Sequence, residues 1–155
     1  MTYKITGIDP SPFAHLAGLD DSELARHGAV RMTADSDFGF PCRVTLEDAK
    51  PGEKLLLVNH CSHDGNNPYR ATHAIFVGEE AREPARYQDE IPPVMKRRIL
   101  SLRAFDGDGM MRNAVLAQPG EADGAIRGLL ADGEVDHIDA HTATRGCFVG
   151  RIDRD

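Results

Sequence analysis

Apolar residues in this chain fall in short runs that alternate with polar positions or stand between turn residues. From residue 40 onwards the runs are PCRVTL, KLLLVNH, ATHAIFV, LSLRAF, MMRNAVLA, VDHIDAH and GCFVGRI, and an earlier one covers residues 30–34. Short runs rich in β-branched residues and separated by turn residues such as Pro51 and Gly52 are typical of strands. The pattern therefore predicts a mainly antiparallel β-sheet.

Three segments carry helical signals instead. Residues 121–131 place apolar side chains at the i, i+3, i+4, i+7 and i+8 spacing of one helix face. Asp20 and Glu23 have the spacing of a capping box, which predicts a helix over 21–27, and Pro92 suits the start of a helix over 92–99. Residues 79–91 are polar, and we expect a loop there. The predicted fold class is α+β, with about three short helices in a single domain over residues 1–155.

Charge narrows the range of partners. The 155 residues contain 18 Lys and Arg against 25 Asp and Glu, a formal net charge of −7. Because nucleic acids and anionic lipid surfaces attract basic proteins, we expect neither as a partner, although a local basic pocket is compatible with this balance. No apolar run exceeds four residues, so we expect no membrane span.

The cysteines and the predicted strands bear on location and assembly. The three cysteines, at positions 42, 61 and 147, form no disulfide framework, and the N-terminus lacks the apolar segment of a secretory signal. We therefore expect a cytoplasmic protein.

A small antiparallel sheet leaves edge strands that must be covered, charged or paired, and the candidate edges contain few prolines, so we expect a homodimer.

Several segments resemble a known family. They are ITGIDPSPF, FGFPCRVTLEDAKPGEKLLLVNH, PYRATHAIFV, LRAFDGDGMM and DAHTATRGCFVGRIDR, which together cover most of the chain. The chain is similar to the bacterial domain-of-unknown-function family 1203, a resemblance that implies no reaction. The family's last motif is similar to His-Ala-His-Asn-Ala, a short spacer and Gly-Cys-Phe. Here Asp139 replaces the first His and Thr142 the Asn, whereas His141, Gly146 and Cys147 match the motif.

The C-terminal hairpin carries the first candidate site. If residues 135–141 pair with 147–152, His141 and Cys147 flank the loop and face each other across it. An imidazole at that distance could hold Cys147 as a thiolate nucleophile, and Arg145 with the amides near Gly146 could bind an anionic group. The alternative is a buried structural cysteine and a histidine bonded to backbone.

Two arginines in apolar surroundings carry the second candidate site. Arg43 and Arg103 both lie in segments predicted as strands, where a buried guanidinium needs a carboxylate partner or an anionic ligand. With Thr142 and Arg145 from the hairpin, and with His73, they form the predicted ligand-binding set. The predicted function is binding of a small anionic molecule near the 141–147 hairpin; the alternative is a small cytosolic enzyme that uses Cys147 and His141.

A third group, His60, Cys61, His63 and His73, has metal-ligating side chains. Its spacing matches no established zinc pattern, and residues 60 and 63 of one strand point to opposite faces. We therefore predict no metal site and no cofactor.

Overall fold

A computed structural model describes all 155 residues as a two-sheet α+β fold. The strands are β1 (Tyr3–Thr6), β2 (Val30–Thr33), β3 (Lys54–His63), β4 (Ala71–Gly78), β5 (Arg86–Gln88), β6 (Leu100–Phe105), β7 (Met111–Ala117), β8 (His137–Thr142) and β9 (Phe148–Arg154). The helices are α1 (Asp21–Arg26), α2 (Pro93–Lys96) and α3 (Ala122–Leu130), and a 3-10 helix covers Ser11–Leu16. No helix is both long and apolar enough to cross a lipid bilayer.

The nine strands form two sheets. The larger has six strands in the order β5-β1-β9-β8-β6-β7, and the smaller has three in the order β2-β3-β4. Every pair of neighbouring strands is antiparallel. The predicted α+β class with a mainly antiparallel sheet is confirmed.

The buried apolar residues divide into two clusters, one for each sheet. The larger cluster, of 18 residues, joins one face of the six-stranded sheet to α2 and α3 and contains Leu102, Ile126 and Ile138. The smaller, of 12 residues, packs the three-stranded sheet against the N-terminal segment and contains Leu24 and Leu55. Burial of these side chains supplies the main favourable contribution to folding in each half.

The helices follow their sequence signals, with one correction. Asp20 caps α1 by accepting from the Glu23 amide at 2.8 Å, and the Glu23 carboxylate accepts from the Asp20 amide, so the capping box is confirmed. Helix α3 lies within the predicted 121–131 range. The segment predicted as a helix over 92–99 contains only α2, a single turn that ends before Arg97.

One segment predicted as a strand is a loop, and one segment predicted as a loop contains a strand. Residues 41–46 form a loop rather than a strand, in which the Leu46 amide donates to the Cys42 carbonyl and Leu46 has φ of 56°. The apolar pattern arises because this loop lies between the clusters: Val44 belongs to the smaller and Leu46 to the larger. Conversely, the predicted loop over 79–91 contains β5, a three-residue edge strand too short to leave a pattern.

Candidate functional site

The unusual feature of this fold is the second face of the six-stranded sheet. Along β8 the residues alternate, so that Ile138 and Ala140 point into the larger apolar cluster while His137, Asp139 and His141 point to the opposite side. All three of these polar residues are buried. A strand that buries both faces normally carries apolar residues on each of them.

The strands beside β8 extend this pattern. Residues paired across an antiparallel ladder share a face of the sheet. Cross-strand pairing to β8 therefore places on the same side Ser101, Arg103 and Phe105 of β6 together with Phe148, Arg151 and Asp153 of β9. With His137, Asp139 and His141, these residues form what we call the polar face.

The three-stranded sheet covers the polar face with three more histidines. His60 lies 5.7 Å from Phe148, His63 lies 4.3 Å from Phe105, and the rings of His73 and His141 are 4.9 Å apart, all measured between ring centroids. Five of the seven histidines of the chain thus meet between the two sheets. His60 and Phe148, which are 88 positions apart in the sequence, come together here.

The histidines near Arg103 are held in the neutral form. Burial lowers the pKa of His141 to about 4, against the opposing effect of its hydrogen bond to Gly146. Burial also lowers the pKa of His73, and the positive charges of Arg103 and Arg43 lower it further. A neutral imidazole donates through one nitrogen and accepts through the other. His141 donates Nδ1–H to Gly146 and so offers a ligand the lone pair of Nε2, which suits a protonated oxygen of the ligand, whereas His73 Nε2 is free to donate.

Arg103 has no carboxylate partner. Its Cα pairs directly with that of Asp139 across β6 and β8, yet both carboxylate oxygens of Asp139 accept from Arg151 instead, at 2.8 and 3.0 Å. The one hydrogen bond of the Arg103 side chain runs from Nε to Ser101 Oγ at 3.2 Å. Arg103 is half-buried and forms no ion pair. Its guanidinium is therefore an unpaired cation beside His73 and His141.

Arg43 is also without a carboxylate partner, although it is 3% exposed. It lies in the 41–46 loop rather than in a strand, and it donates to the Phe148 carbonyl at 2.8 Å and to the Pro41 carbonyl at 2.7 Å. Burial lowers the pKa of Arg43 to about 10, which leaves it charged at neutral pH, and the thiol of Cys147 is the largest opposing influence. The Arg43 guanidinium therefore contacts the start of β9, next to Cys147.

The hairpin differs from the predicted one in register. A shift between Ala140 and His141 pairs His141 with Phe148, so the predicted cross-strand placement of His141 opposite Cys147 is wrong. His141 Nδ1 donates to the Gly146 carbonyl at 2.9 Å, and no hydrogen bond joins the ring to the thiol. The extra residue of a β-bulge, which a hairpin drawn from loop length alone does not include, causes the shift.

The two remaining predicted residues lie at the rim. Thr142 is half-buried and ends β8, where its amide donates to the Cys147 carbonyl at 2.9 Å. Arg145 is exposed in the loop and forms neither an ion pair nor a hydrogen bond through its side chain. The structure thus brings His73, Arg103 and His141 together, whereas Thr142 pairs with Leu100 on the opposite face of β8 and Arg145 lies apart.

A possible metal ligand set exists, but not the one considered from the sequence. His60, Cys61 and His63 do not converge, because the Cys61 thiol contacts the His63 carbonyl and Arg70 instead. The ligand atoms of His63, His137 and Asp139 do converge, within 4.8 Å of one another.

Comparison with known proteins identifies the family. Residues 39–154 match the family described as "Protein of unknown function (DUF1203)". The chain belongs to this family. The match covers all residues of the polar face and the three facing histidines, whereas ITGIDPSPF lies outside it. No curated protein and no solved structure is detectably similar to this DUF1203 protein.

Among the charged and imidazole side chains of the DUF1203 polar face, sequence reasoning missed His137, Asp139, Arg151 and Asp153 as site residues. The signal was present in the alternation His-Ile-Asp-Ala-His over 137–141, which places three polar side chains on one face. Arg151 gave no signal of its own, because its role follows from the β8–β9 register that pairs it with Asp139.

Proposed function

We propose that this protein binds a small anionic molecule on the polar face, between Arg103, His73 and His141. The observation that carries the proposal is the unpaired guanidinium of Arg103, whose side chain has Ser101 Oγ as its only hydrogen-bond partner. A guanidinium offers five N–H donors in a fork that matches carboxylate and phosphate groups, so most of its donors are free for a ligand.

The neighbouring side chains support an anion at this position. His73 Nε2 is buried and has no hydrogen-bond partner, so a ligand could satisfy it. Around His73 the charges of Arg103 and Arg43 are both positive, and Asp139 is the one carboxylate that influences the ring. Because Asp139 is already paired with Arg151, the local potential is positive although the whole chain carries a net charge of −7.

The larger concave surfaces do not suit an anion as well. The most spacious of the four main clefts, of about 660 Å³, is lined by five acidic side chains against two basic ones, Lys50 and Lys54; the acidic residues are Glu47, Asp48, Glu53, Glu79 and Glu80. Asp153 is the one residue of the polar face that lines any of these clefts, and His73, Arg103 and His141 line none of them. We therefore expect a ligand of the size of a single phosphate or carboxylate group rather than a large cofactor.

Inorganic phosphate is a suitable first probe. Titration followed by amide NMR should give saturable shifts at residues 101–103 and 140–147, and Arg103→Gln should weaken binding at least about fivefold. The matched control is Arg112→Gln, which removes a positive charge from the adjacent strand, where Arg112 is exposed and pairs with Asp132 at 3.2 Å. Equal affinity in the Arg103 variant and the wild type, or the absence of saturation, would contradict the proposal.

A cysteine-dependent enzyme is the second candidate. The observation that favours it is the position of Cys147 beside the buried cation of Arg43, since reactive cysteines are found in electropositive, partly exposed surroundings. His141, with its Nδ1 committed to the Gly146 carbonyl, would then act on a substrate through Nε2. The roles of Cys147 as nucleophile and His141 as base stay predictions, and thiol alkylation tests them.

We also propose a bacterial, cytoplasmic homodimer. A reducing compartment is supported by the three cysteines, all of which are free. Pairing is supported by β7, a seven-residue edge of the larger sheet with a single charged side chain and with Leu116 67% exposed. Light scattering should give twice the chain mass of 16.9 kDa, and the mass of a single chain at tens of micromolar would contradict the dimer.

A further inference from the structure

Three side chains between the two sheets are arranged as a ligand set that the anion proposal does not use. They are His63 at the end of β3 and His137 and Asp139 on β8, with 6%, 7% and 1% of their surface exposed. One ligand atom from each lies within 4.8 Å of the other two. None of the three belongs to the anion-binding set.

Hydrogen bonds to the outer sides of the rings fix which nitrogens are free. His63 Nε2 donates to the Gly109 carbonyl at 2.8 Å, which leaves the lone pair on Nδ1, 3.9 Å from Asp139 Oδ2. His137 Nδ1 donates to a carboxylate oxygen of Asp136 at 2.9 Å, which leaves the lone pair on Nε2. Metal-binding histidines characteristically donate their second N–H to a carboxylate or a backbone carbonyl in this way.

The second ring nitrogen of His137 has no partner in the structure. His137 Nε2 is buried and makes no hydrogen bond. A buried polar atom without a partner is unfavourable, and no nearby donor removes this cost. A cation bound at Nε2 would remove it.

Phe105 holds both rings in position. Its ring stacks on His63 at 4.3 Å and on His137 at 5.3 Å between centroids, with interplanar angles of 29° and 19°. The turn that supplies the Gly109 carbonyl is itself fixed, because the Gly109 amide donates to the Asp106 carbonyl at 2.9 Å. The two rings are therefore oriented before any ion arrives.

We propose that His63 Nδ1, His137 Nε2 and Asp139 Oδ2 bind one divalent first-row transition metal ion. Two imidazoles and one carboxylate suit zinc, iron(II) and their neighbours, whereas magnesium and calcium prefer oxygen ligands alone. Ligand atoms around a tetrahedral zinc lie roughly 3.3 Å apart, so the separations between the three ligand atoms need to shrink by up to about 1.5 Å, which side-chain rotations can supply. The remaining coordination positions are left for water or a small ligand.

Arg151 sets an upper limit on the affinity. It donates to both oxygens of Asp139, and its positive charge opposes a second cation there. A carboxylate oxygen has two lone pairs and can accept from Arg151 while it coordinates a metal. We therefore expect weaker binding than at a structural site of four cysteine ligands.

The first experiment uses the full chain after treatment with a chelator, in buffer without phosphate. Zinc titrated by calorimetry should bind at one ion per chain, and cobalt(II) should give visible absorption bands of a bound ion. His137→Phe can keep the stack on Phe105 but offers no lone pair, so it should weaken zinc binding at least about tenfold. The absence of binding, or unchanged affinity in this variant, would overturn the proposal.

The control addresses adventitious binding at the surface. His15 and His27 are exposed, with ring centroids 5.2 Å apart, and could hold a metal ion without any built site. The double variant His15→Ala, His27→Ala should keep the wild-type affinity and stoichiometry. Loss of binding in this double variant would assign the metal to the surface pair instead.

A measurement on the native sequence covers the case in which His137→Phe fails to fold. Nitrogen-15 NMR of the imidazoles distinguishes the two nitrogens of each ring. Zinc should shift His63 Nδ1 and His137 Nε2, whereas shifts of His63 Nε2 or His137 Nδ1 would contradict the proposed ligand atoms. Because phosphate binding depends on Arg103 and zinc binding on His137, failure of one proposal is distinguishable from failure of the other.

Discussion

The two faces of the six-stranded sheet come from the same strands and are both covered, yet they carry opposite kinds of side chain. One face consists of residues such as Leu100, Leu102 and Ile138, which pack against α2 and α3. The other carries histidines, arginines and two aspartates, and faces the three-stranded sheet. The apolar face stabilises the fold, whereas the polar face carries the side chains that could bind ligands.

The two faces contribute differently to the free energy of folding. Apolar burial stabilises the fold by about 25 cal/mol per Å², whereas a buried polar group is unfavourable unless it is hydrogen-bonded. The three buried side-chain polar atoms without a partner, Ser62 Oγ, His73 Nε2 and His137 Nε2, all belong to the polar face or to the strands that cover it. Apolar residues would be more stable at these positions, so their polar character points to ligands.

The largest expected effect lies on the apolar face. Leu102 is fully buried in the larger cluster and alternates with Arg103 along β6, so Leu102→Ala leaves a cavity in the core. We expect a loss of about 3 kcal/mol in the free energy of unfolding, with phosphate and zinc affinities unchanged in the folded protein. Urea denaturation and the two titrations measure this, and a loss of ligand affinity in the folded variant would show that the faces are coupled.

The second prediction provides a reference for a fully paired arginine. Arg31 donates from Nε to Glu79 at 2.9 Å, and this hydrogen bonding holds the pKa of Glu79 at about 2, below its ordinary value of 4.5. The carboxylate is stabilised in the folded state, so its contribution is complete above pH 4.5 and is lost as the pH falls towards 2. A shift of this size corresponds to on the order of 3 kcal/mol.

The variant Glu79→Gln tests this assignment. Its free energy of unfolding should be lower than that of the wild type at neutral pH, and the difference should shrink between pH 4.5 and 2. Urea denaturation over that range measures the difference. A difference that is constant with pH would mean that the Glu79 charge contributes nothing to the free energy of unfolding. The Arg31–Glu79 pair could then not serve as the reference for the unpaired Arg103.

The sequence predicted the strands and helices better than the site, for a physical reason. Local periodicity determines elements such as α3, and the capping residues determined where α1 begins. Arg43 and Arg103 were recognised because a buried cation requires a partner. Whether that partner is a carboxylate depends on the register, since Asp139 lies between Arg103 and Arg151 and pairs with only one of them.

The covering of the polar face depends on contacts that no local pattern contains. His63 of β3 meets His137 of β8 only because the two sheets pack against each other. The alternation in β8 indicates a polar face but not what lies opposite it. The hairpin error has the same origin, because a bulge next to His141 depends on how β8 and β9 pack rather than on their residues.

A smaller effect is expected for stability on the polar face. Arg103→Gln removes a cation that has no ion pair, so the free energy of unfolding should change by less than about 0.5 kcal/mol. Thermal and urea denaturation measure this beside the loss of phosphate affinity. A loss of several kcal/mol would instead make Arg103 a structural residue and would weaken the argument that its partner is a ligand.

The smallest expected effect concerns the thiols, which decide between binding and cysteine catalysis. Cys61 and Cys147 are both half-buried beside an arginine: Cys61 beside the exposed Arg70, whose guanidinium donates to it at 3.2 Å, and Cys147 beside the buried Arg43. The charge of a guanidinium that is shielded from water is less screened, so we expect Cys147 to alkylate faster than Cys61.

Iodoacetamide labelling followed by mass spectrometry gives the rate at each cysteine, with the buried Cys42 as the slow internal reference. Arg43→Met should slow Cys147 by about threefold while leaving Cys61 unchanged. His141→Ala should change the rate by less than about twofold, because the ring is bonded to the Gly146 carbonyl and pairs across the strands with Phe148. A large loss of reactivity in His141→Ala would restore the Cys147–His141 pair and favour the enzyme. If Cys147 reacts only after denaturation, it is a packing residue, and anion binding is the function that the polar face supports.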